Sequence, residues 1–322
     1  MESNNNTVSV WMTTYNHENF IAKAIDSVLK QKTKFNYEII IGEDYSTDNT
    51  RNIVKAYKEK YQDKIRLFLP EKNLGMMAMT LATYSMCRGR YIAMLDGDDY
   101  WTDPLKLQKQ VDFMENNPEY SFCFHNVSEY NELDDIILQT SHPSYNNADY
   151  SLIADSFIKA DTPAYTLSVV FRNILDNPLP KWYHELPWGD VGLFCLLFKY
   201  GRAKYFTDNM GCYRVHNGGA YSGESDYANG VKAIKNFKIL GQNLPYLNKK
   251  VINNTIAEYN FRLFKIDCQA ININAAILHL FGMAYHDLTL VYKNLRCLTG
   301  SVLRMVLKTP GKYYQKLVVS SG

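Results

Sequence analysis

The chain has 322 residues, 46% hydrophobic and 21% charged, with 17 Gly and 10 Pro, which suits one large domain with an appendage or two domains and excludes a disordered, collagenous or small disulfide-stapled chain. The net charge of +2 hides an asymmetry, because residues 1–220 carry 22 basic against 28 acidic residues while residues 221–322 carry 13 against 5. That contrast argues for two regions with different surfaces, and the acidic front two-thirds, without a nucleic-acid motif, argues against nucleic acid as a ligand.

The first seven residues are polar and Asn-rich, without the basic start and apolar stretch of a secretory signal, so a cytoplasmic location is expected. Six scattered cysteines with no C-x-x-C pair fit reduced thiols, and no apolar run reaches the roughly 18 residues of a membrane-spanning helix. Val8–Thr14 reads as a strand, and Phe20, Ile21, Ala24, Ile25, Val28 and Leu29 recur at helical spacing. Tyr37–Gly42 is a nearly continuous apolar strand, Asp48–Tyr61 a helix, Ile65–Leu69 a strand, Met77–Cys87 a helix and Tyr91–Leu95 a buried strand. Strands alternating with helices of 10 to 15 residues imply β-α-β crossovers and a mostly parallel sheet, whose ligands bind at the carboxyl ends of the strands. Thr102-Asp103-Pro104 reads as a helix start with Asp103 as N-cap. Residues 130–165 are expected to form loops, and Asp190 to open a helix that runs to Tyr200, with Gly201 as its C-cap. Strands Ala203–Thr207 and Met210–Val215 follow, and residues 226–317 read as helices only.

Polar residues gather at three strand ends. Asp96-Gly97-Asp98-Asp99 follows a buried strand, and in extended backbone Asp96 and Asp98 share a face. Convergent carboxylates suit Mg²⁺ or Mn²⁺ holding a diphosphate; the plain alternative is a solvated acidic turn capping the next helix. Gly97 admits close approach of backbone or ligand, and Tyr100 and Trp101 offer aromatic walls for a sugar or base. At the second strand end, Ser46, Thr47 or Asp48 can cap a helix, which leaves Asp44 free to accept a hydrogen bond from a nucleotide base. Asn73 and Gly75 form a turn. Asp190 reads either as an ordinary helix N-cap or as an ionised group favoured by the helix dipole. His216, before Gly218-Gly219, is structural or a ligand, and Arg214 is a packed guanidinium or a phosphate partner.

In order along the chain, V-S-V-W-M-T-T-Y-N-H, I-I-I-G-E-D-Y-S-T-D-N-T, N-L-G, Y-I-A-M-L-D-G-D-D-Y-W, W-G-D-V-G-L and Y-R-V-H-N-G-G-A-Y-S-G resemble the family 2 glycosyltransferases, inverting enzymes with the GT-A fold. The resemblance implies an α/β GT-A catalytic domain over residues 1–223, and residues 224–322 are left as a helical, basic extension. It implies a nucleotide-sugar donor, usually UDP-linked, with base and ribose against Thr13, Asp44 and Asp96, and with Tyr15, Asn73, Gly97 and Arg214 completing the donor-binding set. Asp98 would match the metal-binding aspartate of the D-x-D motif, with His216 on the metal, Mn²⁺ or Mg²⁺, or on the diphosphate. Asp190 would stand at the position of the general base. The glycines of Asn217-Gly218-Gly219 would let a loop close over the donor. His17, at the end of the first strand, is placed to line the site. Two departures stand out: Tyr45 replaces a glycine common in relatives, and Gly189-Asp190 offers one carboxylate where others have a pair.

The resemblance points to a glycan or lipid-diphosphate-linked acceptor of the kind used in bacterial surface-polysaccharide assembly. A nucleotidyltransferase is the nearest rival, but T-T-Y-N-H-E-N-F lacks a Gly-rich basic phosphate loop. A non-catalytic sugar-binding module would lack the carboxylates, and Asp44, Asp96, Asp98 and Asp190 are all present. From Leu288 to Val319 an apolar helical stripe lies beside basic residues, with six Lys and Arg and no acid after Asp287. This pattern is expected either to pack on its own domain or to dock peripherally on an anionic membrane surface.

Overall fold

The computed structural model describes residues 7–132, 134–139, 150–161, 164–270 and 272–294. The chain divides into two compact units, Met1–Gly223 and Glu224–Gly322. In the first, β1 (Val8–Thr14), α1 (Ile21–Leu29), β2 (Tyr37–Glu43), α2 (Thr50–Lys60), β3 (Ile65–Phe68), α3 (Met76–Met86) and β4 (Tyr91–Met94) alternate. They are followed by β5 (Tyr100–Trp101), α4 (Lys106–Asn116), β6 (Tyr120–Asn131), β7 (Ile136–Gln139), β8 (Tyr150–Leu152), α5 (Ala154–Lys159), β9 (Val170–Arg172), α6 (Gly189–Leu197) and β10 (Arg202–Val215).

These strands form one sheet in the order β3-β2-β1-β4-β9-β6-β10-β5, with β7 on β6 and β8 on β10. From β3 to β4 all pairings are parallel; beyond β4 the sheet is mixed, because β9 runs antiparallel to both β4 and β6. Apolar stretches such as Ile39–Ile41 fit this position, since a central strand is covered on both faces. On one side α1 buries Ile21, Ala24, Ile25 and Val28. Helix α3 approaches β2 so closely that a Cβ on Gly42 would lie 2.1 Å from Thr83 Cγ2. A second apolar centre, built on Phe122, Phe124, Phe157, Phe194 and Phe198, ties α5 and α6 to β6; Phe194 stacks on Phe122 at 5.7 Å. That contact fixes α6, whose first turn carries Asp190.

The elements depart from the sequence pattern where tertiary packing intervenes. Helix α4 begins at Lys106, because Asp103 caps the preceding turn through the Leu105 amide at 2.8 Å. Helix α6 ends at Leu197, and Gly201 serves another purpose: a Cβ there would lie 2.6 Å from the Glu119 carbonyl oxygen beside β6. Within residues 130–165, expected as loops, the described residues include the end of β6, β7, β8 and α5. The two strands expected after residue 202 are one, β10, interrupted by irregular register around Asn209.

The second unit contains α7 (Asp226–Asn243), α8 (Lys249–Gln269), α9 (Ile273–His286) and α10 (Leu288–Lys293), capped by Ser225, Asn248, Asn272 and Asp287. Ala257, Phe264, Cys268, Ala276 and Met283 form its apolar core, beside a buried contact of 2.6 Å between Asp267 and His279. Among the described residues no helix is long and apolar enough to cross a membrane. Most of the Leu288–Val319 stripe lies outside the described residues.

Lys106 is fully buried, donating to Gln110 Oε1 at 2.7 Å with its ammonium 4.2 Å over the Trp101 ring. Burial drives its pKa from 10.5 down to about 7, and Cys123 and the neutral His125 are the titratable groups beside it. Between those values the unfolded chain holds the proton that the folded chain has lost, so stability rises with pH, by up to ~1.4 kcal/mol per unit. Urea unfolding at about pH 7 and about pH 8.5 should show the wild type gaining stability relative to Lys106→Met, roughly at that slope. Parallel pH profiles would show that Lys106 keeps its proton in the fold.

Candidate functional site

The strand order reverses between β1 and β4, since β2 and β3 lie to one side of β1 and β4 to the other. This is the crevice where open α/β sheets bind ligands. The register pairing Trp11 with Met94 brings Thr13 level with Asp96, and the Thr13 hydroxyl donates to Asp96 Oδ1 at 3.0 Å. Gly97 continues the crevice edge by donating its amide to the Thr13 carbonyl at 2.9 Å. A Cβ on Gly97 would lie 2.5 Å from Thr14 Oγ1 and 3.1 Å from His17 Nδ1. The glycine is therefore a condition for the strand end and the following loop to close on each other.

Asp98 Oδ2 lies 3.1 Å from His216 Nε2 and 3.6 Å from His17 Nε2. Burial opposes its charge, but the His216 hydrogen bond and the two imidazoles outweigh that and hold its carboxyl below the ordinary range. Asp96 responds in the opposite sense: burial first, then the Asp98 carboxylate, push it up to about 7, and Asp190 adds to the rise. Asp99 is driven up by burial, then by the carboxylates of Asp98 and Asp96, and accepts the Arg214 amide at 2.8 Å. Arg214 also donates from Nε to the Asp98 carbonyl at 2.7 Å and pairs through Nη1 with Glu132 at 3.1 Å. It is buried, with its guanidinium over the rings of Phe20 and Tyr100. Arg214 thus clamps the acidic turn from β10; its Nη2 is buried without a hydrogen-bond partner.

Beside the crevice, Asp44 and Asn73 form a second knot. Asp44 is 4% exposed; its two carboxylate oxygens accept the amides of Leu74 at 2.7 Å and Gly75 at 2.9 Å, and Asn73 donates to its carbonyl at 2.8 Å. The Asp44 amide in turn donates to Thr14 at 3.0 Å, which links the knot to β1. Glu43 is fully buried and ion-paired to Arg51. Tyr45 has φ of 60°, in the left-handed region that favours glycine. Tyr15 and Tyr45 stand exposed on the rim. Asp48 caps α2 through the Thr50 amide at 2.9 Å and also takes the Glu18 amide, so the two loops are joined.

Asp190 lies in the first turn of α6, where Oδ1 accepts the Val191 amide at 2.7 Å. Burial raises its pKa, making it a stronger base than a solvated aspartate. A Cβ at Gly189 would lie 2.8 Å from the Tyr183 hydroxyl, which donates to the Gly189 carbonyl at 2.6 Å. A second acidic side chain at that position would displace the Tyr183 hydroxyl.

Trp101 corrects an expectation: it is buried in the core with its indole N–H on the Leu167 carbonyl at 2.8 Å, so it is no wall of the site. Tyr100 is covered by Lys23, 3.5 Å from its ring. His216 is fixed by its turn, its Nδ1 lying 3.3 Å from the Gly218 amide nitrogen and its carbonyl accepting from Gly219 and Ser222. His17, Asp98 and His216 bring one ligand atom each within 4.8 Å of one another, the one such grouping of His, Cys, Asp and Glu among the described residues. Two imidazoles and an ionised carboxylate fit a divalent transition metal. His17 had only its position after β1 to mark it in the sequence.

The family model for glycosyl transferase family 2 matches residues 9–177, just over half of the chain. Over 219 residues the chain is 33% identical to the uncharacterized protein Rv1520 of Mycobacterium tuberculosis, covering 66% of this chain and 60% of that protein. It is 28% identical over 215 residues to the uncharacterized glycosyltransferase alr2836 of Nostoc sp., covering 65% of each. The chain thus spans about 60% of the length of the first of these relatives. In structure it resembles S. aureus TarS 1–349, solved with UDP-GlcNAc, with a TM-score of 0.62 at 16% identity over 93% of this chain and 89% of that one. It also resembles the mannosyltransferase PcManGT of Pyrobaculum calidifontis, solved with GDP-Man and Mn²⁺, with a TM-score of 0.57 at 15% identity over 95% and 87%. These likenesses show the GT-A fold.

Gly97→Ala should cost ~1–3 kcal/mol of stability, because Thr14 belongs to β1 and cannot retreat without moving the strand. Urea unfolding measures this, and an unchanged midpoint would mean that the Thr14–His17 contact is loose.

Proposed function

The chain belongs to glycosyl transferase family 2, and from that premise we propose that it transfers a sugar from a nucleotide-sugar donor, UDP-linked, with inversion at the anomeric carbon. The observation that carries this reading is the convergence of Thr13 with Asp96, and of Asp98 with His216, at the β1/β4 crevice, together with an Asp190 close enough to raise the Asp96 pKa. The UDP-GlcNAc complex of TarS supports the choice of donor. In this reading base and ribose lie against Thr13, Tyr15, Asp96 and the Asp44–Asn73 knot, with the diphosphate at Gly97 and Asp98. Bound at Asp98 and His216, Mn²⁺ or Mg²⁺ supplies positive charge against the diphosphate. Arg214 holds the acidic turn in place. Asp190 takes the proton of the acceptor hydroxyl as its oxygen attacks the face opposite the departing diphosphate. No covalent intermediate with the protein is needed.

For the acceptor we propose a lipid-linked glycan reached at an anionic cytoplasmic membrane face. Helices α9 and α10 expose Ile277, Leu278, Phe281, Tyr285, Leu288 and Tyr292, and residues 288–322 carry six basic and no acidic residues. Each basic group near such a surface contributes ~1 kcal/mol, enough together for reversible, salt-sensitive attachment.

Asp190→Asn tests the chemistry. Transfer should fall roughly 10² to 10⁴-fold while UDP affinity in Mn²⁺ stays unchanged; near-normal turnover would assign the base elsewhere. The docking is tested by flotation with anionic vesicles at low salt. The wild type should float and Phe281→Asp with Tyr285→Asp should not; equal behaviour of the two would remove the membrane from this proposal.

A further inference from the structure

Asp98 and His216 alone would give an ion two protein ligands, and most of its coordination shell would have to come from diphosphate and water. This chain has a third candidate. His17 Nε2 stands 3.6 Å from the Asp98 oxygen that His216 approaches to 3.1 Å, and the two rings meet edge to face with centroids 6.0 Å apart. An imidazole nitrogen binds a divalent ion such as Zn²⁺ at about 2.1 Å, so neighbouring ligands lie roughly 3 to 3.5 Å apart around it. Both separations match that spacing, and the ligand atoms of the two imidazoles lie within 4.8 Å of each other, so small side-chain rotations complete the set.

The ring of His17 is held for the task. Its Nδ1 lies 3.2 Å from the Thr14 hydroxyl, and a proton donated there leaves the lone pair of Nε2 on the Asp98 side, the arrangement that orients metal-binding histidines. Its backbone amide is fixed on Thr50 Oγ1 at 2.8 Å, and Phe20 packs against both imidazoles, at 6.1 Å from His17 and 4.7 Å from His216. The three side chains come from the loop after β1, the turn after β4 and the end of β10, so the fold itself assembles them.

We propose that His17 is a third protein ligand, so that His17, Asp98 and His216 bind a divalent transition metal before any nucleotide arrives. The inference rests on the reading of Asp98 and His216 as the metal site. With two of three ligands imidazole, the site prefers Mn²⁺, Co²⁺ or Zn²⁺ to Mg²⁺, which favours an all-oxygen shell. Order of binding follows: the metal is resident, and the donor diphosphate completes its coordination.

The test uses the full chain, stripped with chelator and titrated with Co²⁺ in the absence of nucleotide, followed by the visible d–d absorption of bound Co²⁺ and by calorimetry. The wild type should bind one ion, Mg²⁺ should fail to compete at equal concentration, and His17→Gln should weaken Co²⁺ binding by about tenfold or more. His17→Cys should restore binding and add a near-ultraviolet thiolate-to-cobalt charge-transfer band, a signature that a histidine serving only to hydrogen-bond Asp98 would not give. Equal Co²⁺ affinity of wild type and His17→Gln, or binding by neither until UDP is added, would overturn the role of His17 while leaving the metal at Asp98 and His216 in place. UDP affinity that is the same in Mn²⁺ and in chelator for both proteins would instead overturn the metal site itself.

Discussion

Three carboxylates within four residues, Asp96, Asp98 and Asp99, are packed at the end of a buried strand, and their mutual repulsion is the constraint around which the first unit is arranged. Each is relieved differently. Asp99 receives a backbone amide from Arg214, whose guanidinium also braces the Asp98 carbonyl. Asp98 has two imidazoles. Asp96 has only the Thr13 hydroxyl, and its pKa rises to about 7 under burial and the Asp98 charge. The turn therefore depends on strand β10, more than a hundred residues away in sequence, as much as on β4, and Asp96 is the one of the three whose pKa Asp190 also raises.

That dependence explains why the motif residues separate into two kinds. Arg214, Asp44 and Glu43 are buried and engaged with backbone or with a charged partner, Arg214 with Glu132 and Glu43 with Arg51. Removing such a partner would leave an uncompensated charge inside, which costs several kcal/mol. Asp98, His17, His216 and Asp190 keep partial exposure or a shared partner. Buried clamps and available groups alternate along the same strand ends, so the available groups are held in place without being consumed.

The parallel half of the sheet was legible in the sequence because its signals are local. Apolar runs such as Ile39–Ile41 are strands wherever they are buried on both faces, and the spacing of Ile21, Ala24, Ile25 and Val28 is helical in any context. The mixed half was less legible. The β6–β10 pairing joins residues some 80 positions apart, and Gly201 resembles a helix stop while its actual constraint is contact with the Glu119 backbone. In the site, Asp98, Asp190 and His216 were marked by chemistry and order along the chain. The burial of Trp101 and the clamp made by Arg214 were not, since both depend on what covers them from β10 and the 165–170 segment. His17 belongs with these: a histidine in a loop acquires meaning only from the aspartate the fold places beside it.

The two departures from the usual pattern follow from the same geometry. At position 45 the backbone is left-handed, a conformation that costs a non-glycine residue about 1 kcal/mol or more; Tyr45 bears it on the rim with its ring facing Arg51 at 5.0 Å, which places a flat aromatic surface next to the guanidinium that holds Glu43. At position 189 the Tyr183 hydroxyl lies where a side chain would begin, so this chain has exchanged a possible second acid for a hydrogen bond that anchors the first turn of α6. The consequence is a single carboxylate whose helix is tethered on one side by Tyr183 and on the other by the Phe122–Phe194 stack. A carboxylate held by two independent anchors has little freedom to swing away from the crevice, and that rigidity is what the proposed proton transfer at Asp190 would require.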